Sequence, residues 1–126
     1  MIVSIGIDII EIRRVREVLA RTPRFRERVF TEGERRYCDA RGANAAQHYA
    51  ARFAAKEAAF KALRTGWRDG LAWHHVEVAS DELGAPLLRL SSHARDLFER
   101  LGATHAHLSL SHTGGHAVAQ VIFERR

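Results

Sequence analysis

Asn44-Ala-Ala-Gln-His-Tyr-Ala-Ala-Arg-Phe-Ala-Ala-Lys-Glu-Ala-Ala-Phe-Lys-Ala-Leu63 is the stretch on which the fold turns. Asn44, with Gln47 three residues on, opens a helix. The pattern runs to about Leu63 and stops before Gly66. Alanine dominates it, so neighbouring elements can pack close. The same stretch carries chemistry. Lys56 and Lys61 are the only lysines among the 20 basic residues of the chain, and they bracket Glu57. Arginine is a forked, permanently charged base, whereas lysine is a compact point charge that can meet a phosphate or move a proton.

Upstream, Val3-Ser-Ile-Gly-Ile-Asp-Ile9 alternates as a strand. Val3, Ile5, Ile7 and Ile9 form the expected half-buried face, and Asp8 shares the other face with Ser4 and Gly6, pointing away from the core. Glu11 to Ala20 reads as a short helix. Thr22-Pro23 offers an N-cap and a first-turn proline that restart it. Thr31-Glu-Gly-Glu34 is a capping-box pattern that opens a third helix to about Ala40. Downstream, Val76 to Ala79 and Pro86 to Leu90 read as strands about a Gly84 turn. Ser91 to about Leu101 reads as an amphipathic helix, and His105–Ser111 with His116–Phe123 as a hairpin across Gly114-Gly115. The expected fold is α+β, a mostly antiparallel sheet packed against a long central helix and several short helices, in one domain spanning 1–126.

The chain has 126 residues, 46% hydrophobic and 28% charged, a globular composition with a core small enough that oligomerisation would help. Its single cysteine, Cys38, excludes an internal disulfide and fits a reducing cytoplasm. Neither a signal peptide nor a membrane span is expected, since Asp8 and Glu11 interrupt the first apolar run. The net charge is +5, and residues 13–41 hold all of the excess, ten arginines against five acids. Such a stretch suits an acidic partner: nucleic acid, an anionic membrane or an acidic protein.

Asp8 from a strand end and Glu57 from a helix offer two hard oxygen ligands. That pair suits Mg²⁺, which keeps several waters and takes one or two carboxylates with substrate phosphates. The plainer readings are a surface acid or helix cap for Asp8, and an i,i+4 ion pair with Lys61 for Glu57. Arg52 and Lys56 are like charges at i,i+4, a repulsion that a bound anion would relieve. Arg52 lies on nearly the opposite helix face from Lys61, so the two serve one small group only if a neighbouring subunit intervenes. Thr113 and the backbone of Gly114-Gly115 could bind phosphate, or could be a plain turn. Ser111-His112 makes a poor nucleophile pair, because adjacent strand residues face opposite sides. His105 and His107 share a strand face but lack a third zinc ligand. His74 and His75 read as solvated. No GxxxxGK[ST] loop is present.

Gly6-Ile-Asp8-Ile-Ile-Glu11-Ile, Arg52-Phe-Ala-Ala-Lys-Glu57-Ala-Ala-Phe-Lys61-Ala-Leu, Asp81-Glu-Leu-Gly84-Ala-Pro86 and Leu108-Ser-Leu-Ser-His-Thr113 follow one another in the order seen in holo-acyl-carrier-protein synthases, the short phosphopantetheinyl transferases. The resemblance runs from Ile2 to about Phe123. It implies an α+β homotrimer with sites between subunits, cytoplasmic and serving fatty-acid and lipid biosynthesis. Such an enzyme moves 4′-phosphopantetheine from coenzyme A to a serine of apo acyl carrier protein and releases adenosine 3′,5′-bisphosphate. Carried over by motif, Asp8 and Glu57 would bind Mg²⁺ (or Mn²⁺) and Lys61 would meet the diphosphate. Arg52 and Lys56 belong to the same motif. His112 and Thr113 would meet the nucleotide end, and Gly84 and Pro86 would border the adenine. Two departures stand out: Ala85 where the family usually has a basic residue, and Arg64 where a glycine is common.

The basic stretch then has a partner in an acidic acyl carrier protein. Arg14, Val18 and Arg21 fall on one helical face, and Arg24 and Arg28 follow after the proline. Metal half and docking face are expected on different chains of the oligomer. Glu11, Glu34 or a metal-bound water would take the serine proton. The rivals are a nucleic-acid-binding domain, which lacks aromatics interleaved with its arginines, and a metal-dependent phosphohydrolase. Neither a nucleic-acid nor a membrane partner is expected.

Overall fold

The computed structural model describes residues 1–64 and 70–126. The chain runs β1 (Ile2–Glu11), α1 (Ile12–Arg21), α2 (Phe25–Val29), α3 (Glu32–Asp39), α4 (Ala45–Leu63), β2 (Val76–Ser80), β3 (Pro86–Leu90), α5 (Ser92–Arg100), β4 (His105–His112) and β5 (His116–Glu124). Among the described residues there are two antiparallel sheets, one ordered β1-β5-β4 and one of β2 with β3. The α+β architecture with a long central helix is the one expected.

Helix α4 is buried on nearly every side because so many of its residues are alanine. One flank meets the β1-β5-β4 sheet, whose inward residues Ala119, Val121 and Phe123 join Ala54, Ala58, Phe60 and Leu63 in the main cluster. Another flank meets α1, α2 and α3 through Val15, Phe30 and Tyr49. The closest approach is at Gly6. A Cβ there would stand 2.0 Å from the Ala58 carbonyl oxygen. Two residues earlier, the buried Ser4 hydroxyl donates to the Ala62 carbonyl at 2.8 Å.

This contact reverses the face expected for β1. Ser4, Gly6 and Asp8 are the side that faces α4, whereas Ile5, Ile7 and Ile9 are 56%, 57% and 66% exposed. Register puts Ile5 beside Ile122, Ile7 beside Gln120 and Ile9 beside Val118 on that outward face. Alternation alone marks the apolar face of a strand but not what covers it. Here small and polar residues were needed inward, since the helix backbone sits where side chains would otherwise go.

Three local expectations are refined. The capping box at Thr31 is present, with Glu34 N donating to the Thr31 hydroxyl at 3.2 Å and Thr31 N to Glu34 Oε1 at 2.8 Å. Thr22 instead closes α1, and α2 begins at Phe25 behind Arg24 in the left-handed region. Arg64, with φ of 67°, ends α4 in that same region, which explains why glycine is favoured at this position. Gly66 lies outside the described residues.

Gly6→Ala is expected to destabilise the protein by at least about 3 kcal/mol in denaturant unfolding, because a backbone carbonyl cannot yield as a side chain can. A loss below about 1 kcal/mol would show that β1 and α4 separate readily.

Candidate active site

Because β1 is pinned to α4, Asp8 comes to lie beside Glu57 and Lys61. Lys61 Nζ donates to Asp8 Oδ1 at 3.1 Å and to the Ile7 carbonyl at 2.8 Å. Lys61 is thus drawn to the strand, and the i,i+4 pair with Glu57 is replaced by a pair with Asp8. Glu57 is half-buried and has no hydrogen-bond or ion-pair partner among the described residues. Burial pushes its carboxyl above the ordinary range, the Asp8 carboxylate pushes it further, and Lys61 opposes both.

These groups open onto a cleft of about 490 Å³ lined by Asp8, Glu57, Glu11, Arg14, Val18, Phe25, Phe53 and others. An uncompensated carboxylate beside a second one is the donor set of a hard divalent cation. No cluster of three or more His, Cys, Asp or Glu residues among the described residues could hold a metal alone, so two carboxylates with outside oxygens are the fitting arrangement. Zinc at His105 and His107 has no support, and His107 is taken up by Glu124 at 2.9 Å. His74 and His75 are not simply solvated. His74 Nε2 meets the Glu27 carbonyl at 2.8 Å, and His75 Nδ1 accepts from Ala72 N at 3.2 Å.

Lys56 does not reach this cleft. It is fully buried and pairs with Glu34 at 2.8 Å. It also donates to the Trp73 and Val76 carbonyls. Burial pushes its ammonium below the ordinary lysine range, against the pull of Glu34. Glu34 is spent as well, since its Oε2 accepts from Val78 N at 2.8 Å. A single helical step, about 100°, separates the two members of the Lys56-Glu57 motif into a structural half and a solvent-facing half. Cys38 is buried and its thiol is pushed up to about 12, so it is no nucleophile.

A second hollow, about 170 Å³, gathers Arg52, Gly84, Pro86 and His112 with Tyr37, His48 and Ser80. It shares no lining residue with the first. Arg52 is 5% exposed, and its Nε is buried without a hydrogen-bond partner. Thr113 is not in this wall. Its hydroxyl accepts from Gly115 N and His116 N and closes the hairpin. Ala85 sits in a turn tied by Asp81 Oδ1, which accepts from Leu83 N and Ala85 N. Sequence reasoning passed over Tyr37 and His48. They lie before the conspicuous motif, and only the fold brings them to Arg52.

The basic face divides. Arg14, Val18 and Arg21 line one shallow hollow with Glu17, which pairs with Arg21 at 3.2 Å. Arg14 and Val18 also line the Asp8–Glu57 cleft, so residues expected to bind metal and residues expected to dock the carrier meet within one chain. The hollow built on Arg52 is the one that stands apart from that cleft. Arg24 and Arg28 are exposed but line neither hollow.

Residues 4–121 match the model of the 4′-phosphopantetheinyl transferase superfamily. The chain belongs to that family and is an enzyme of the transferase class. It is 53% identical to the holo-[acyl-carrier-protein] synthase of Trichlorobacter lovleyi over 125 residues, covering 98% of each chain. It is 50% identical to that of Geobacter metallireducens, covering 99% of each. Among solved structures, the Bacillus anthracis synthase in complex with CoA (3′,5′-ADP) superposes with a TM-score of 0.82 at 39% identity, over 100% of this chain and 99% of that one. The Helicobacter pylori synthase in complex with coenzyme A gives 0.82 at 30% identity, over 95% and 99%.

Since burial and Asp8 raise the Glu57 pKa in the fold, ionised Glu57 is a stability cost. That cost is absent below the ordinary carboxylate range and complete above the raised pKa. Glu57→Gln is expected to raise the Tm of metal-free protein at pH 7, with the gain vanishing as pH falls. The substitution should also remove any Mg²⁺-induced rise in Tm. A lower Tm at pH 7 would contradict this electrostatic reading.

Proposed function

We propose that this enzyme transfers 4′-phosphopantetheine from coenzyme A to a serine of an acidic apo acyl carrier protein. The observation that carries the reading is the junction of Asp8, Glu57 and Lys61 with an arginine-and-apolar wall from Arg14, Val18 and Phe25. Phosphate-binding groups and a surface suited to an acidic helical partner meet in one cleft.

Asp8 and Glu57 would hold Mg²⁺, which would supply charge neutralisation at the diphosphate. The carrier serine Oγ attacks the phosphorus that bears pantetheine. The bond from that phosphorus to the bridging oxygen breaks, and adenosine 3′,5′-bisphosphate leaves with the electron pair. Lys61 is half-exposed on a flexible stem and can move from Asp8 to the leaving phosphate. Glu11 lines the cleft and is the candidate to take the serine proton, because Glu34 is buried in its pair with Lys56. The hollow at Arg52, Gly84, Pro86 and His112 would hold the nucleotide end.

The assembly we propose is a cytoplasmic homotrimer. Ile5, Ile7 and Ile9, with Ile122 and Val118 beside them, leave an apolar face of the sheet uncovered within one chain. The two hollows lie apart, so one coenzyme A would bridge the metal half of one chain and the nucleotide half of its neighbour. Among the described residues no helix is long and apolar enough to cross a membrane.

Mass spectrometry of an apo carrier protein incubated with enzyme, coenzyme A and Mg²⁺ is expected to show the gain of one phosphopantetheine. Asp8→Ala and Glu57→Ala should each cut the rate at least about a thousandfold with the fold intact by circular dichroism. Full Mg²⁺-dependent activity in either variant would remove the metal assignment. Reversing Arg14 and Arg21 to glutamate should raise KM for the carrier at least about tenfold and leave coenzyme A binding nearly unchanged, with wild-type docking weakened by salt. Loss of coenzyme A binding with docking preserved would show the face assigned to the wrong ligand.

A further inference from the structure

His74 joins two elements that lie 47 positions apart in the chain. It belongs to the short 3₁₀ turn Trp73–His75, which is anchored on α4. Lys56 Nζ donates to the Trp73 carbonyl at 3.2 Å. The Trp73 ring packs on the Phe53 and Phe60 rings of α4, with 5.2 Å between centres in each case. From this anchored turn, His74 Nε2 reaches the Glu27 carbonyl of α2 at 2.8 Å. A carbonyl oxygen only accepts, so the imidazole donates.

The Glu27 carbonyl is open for a reason written in the next element. Helix α2 has five residues, too few to hold its own shape without tertiary contacts. A longer helix would close this carbonyl with the amide four residues on, that of Thr31. Thr31 N instead donates to Glu34 Oε1, as half of the capping box that opens α3. The box that starts one helix thus orphans a carbonyl in the last turn of the helix before it, and His74 satisfies it. Two further ties hold α2. The Phe25 ring meets the Phe53 ring at 6.1 Å, the same ring on which Trp73 packs. The Arg26 guanidinium donates to the Tyr49 hydroxyl and to Asp39. What α2 presents outward is Arg24 and Arg28, both exposed, while Phe25 lines the Asp8–Glu57 cleft.

We infer that His74 is a positioning residue for carrier docking: its bond to the Glu27 carbonyl sets the pose of α2, and with it the places of Phe25 and Arg28 beside the cleft. The inference rests on the carrier assigned under the proposed function. His74 lines neither the cleft at Asp8 and Glu57 nor the hollow at Arg52, so its influence is confined to the carrier and does not extend to coenzyme A.

The test is steady-state kinetics of the intact enzyme with coenzyme A, Mg²⁺ and one purified bacterial apo acyl carrier protein. His74→Leu is expected to raise KM for the carrier about fivefold, with kcat and KM for coenzyme A within about twofold of wild type. His74→Gln, whose side-chain amide can donate at a similar reach, should bring the carrier KM back to within about twofold. Hydrogen exchange read by mass spectrometry should be faster in peptides covering residues 25–30 of His74→Leu than in those of His74→Gln. His74 is exposed, so neither substitution opens a cavity in the core. The same carrier KM in His74→Leu and His74→Gln, or a loss in His74→Leu that falls equally on carrier and coenzyme A, would overturn the inference. If wild type transfers nothing, calorimetric titration with the same carrier replaces KM. A Kd weakened about fivefold in His74→Leu and restored in His74→Gln then keeps the docking role while the transferase reading falls, and an unchanged Kd removes both.

Discussion

The backbone of β1 lies against the backbone of α4, with nothing but a glycine hydrogen between Gly6 and the Ala58 carbonyl. Most of what matters in the molecule depends on that approach. It requires glycine at 6, where any Cβ would meet the backbone of residues 58 and 62, and it turns the small side of the strand inward. It also carries Asp8, two residues on, to the level of Glu57 and Lys61. Any side chain at position 6 would lift the strand and separate two carboxylates whose mutual repulsion already opposes their proximity.

A second constraint works from the other side of the helix. The buried pair of Lys56 with Glu34 ties α4 to α3, and through the Val76 carbonyl and Val78 N to β2. Burying two charges costs several kcal/mol per ion before pairing, and the pair is tolerated because backbone groups satisfy the remaining valences. Removing one partner would strand the other, so the clamp is a specificity device more than a source of stability. It fixes the roll of α4 about its own axis. The roll decides that Glu57 faces the cleft on one side and Arg52 faces the second hollow on the other.

Much of this was readable from the residues. Helix boundaries followed from Asn44, the Thr31 capping box and the alanine run, because caps and composition act locally. Asp8, Glu57 and Lys61 were visible as odd residue choices at suggestive spacing. What could not be read was long-range. Alternation in β1 gave the two faces but inverted their use, since nothing in Ile5, Ile7 and Ile9 says whether a helix or another chain covers them. Lys56 looked like a member of the site because it adjoins Glu57. Its true partner, Glu34, is also half of a capping box, and its Oε1 performs both roles while Oε2 accepts from Val78 N. The stacking of Arg41 and Arg52 on Tyr37 is likewise invisible in the sequence, since cation–ring contacts leave no local pattern.

In the homotrimer we propose, the two hollows of one chain belong to two different active sites, each completed by a neighbour across the uncovered sheet face. Subunit exchange tests it directly. Under that proposal Glu57→Ala would remove the metal half and Arg52→Gln the nucleotide half, so neither variant should transfer phosphopantetheine alone. In a mixed oligomer, some interfaces pair an intact Glu57 with an intact Arg52 from the next chain, and activity should return to a fraction of wild type. Exchange is followed by mass-tagging one variant. Tagged chains that mix with no return of activity would place both hollows in the service of a single chain and contradict the shared site.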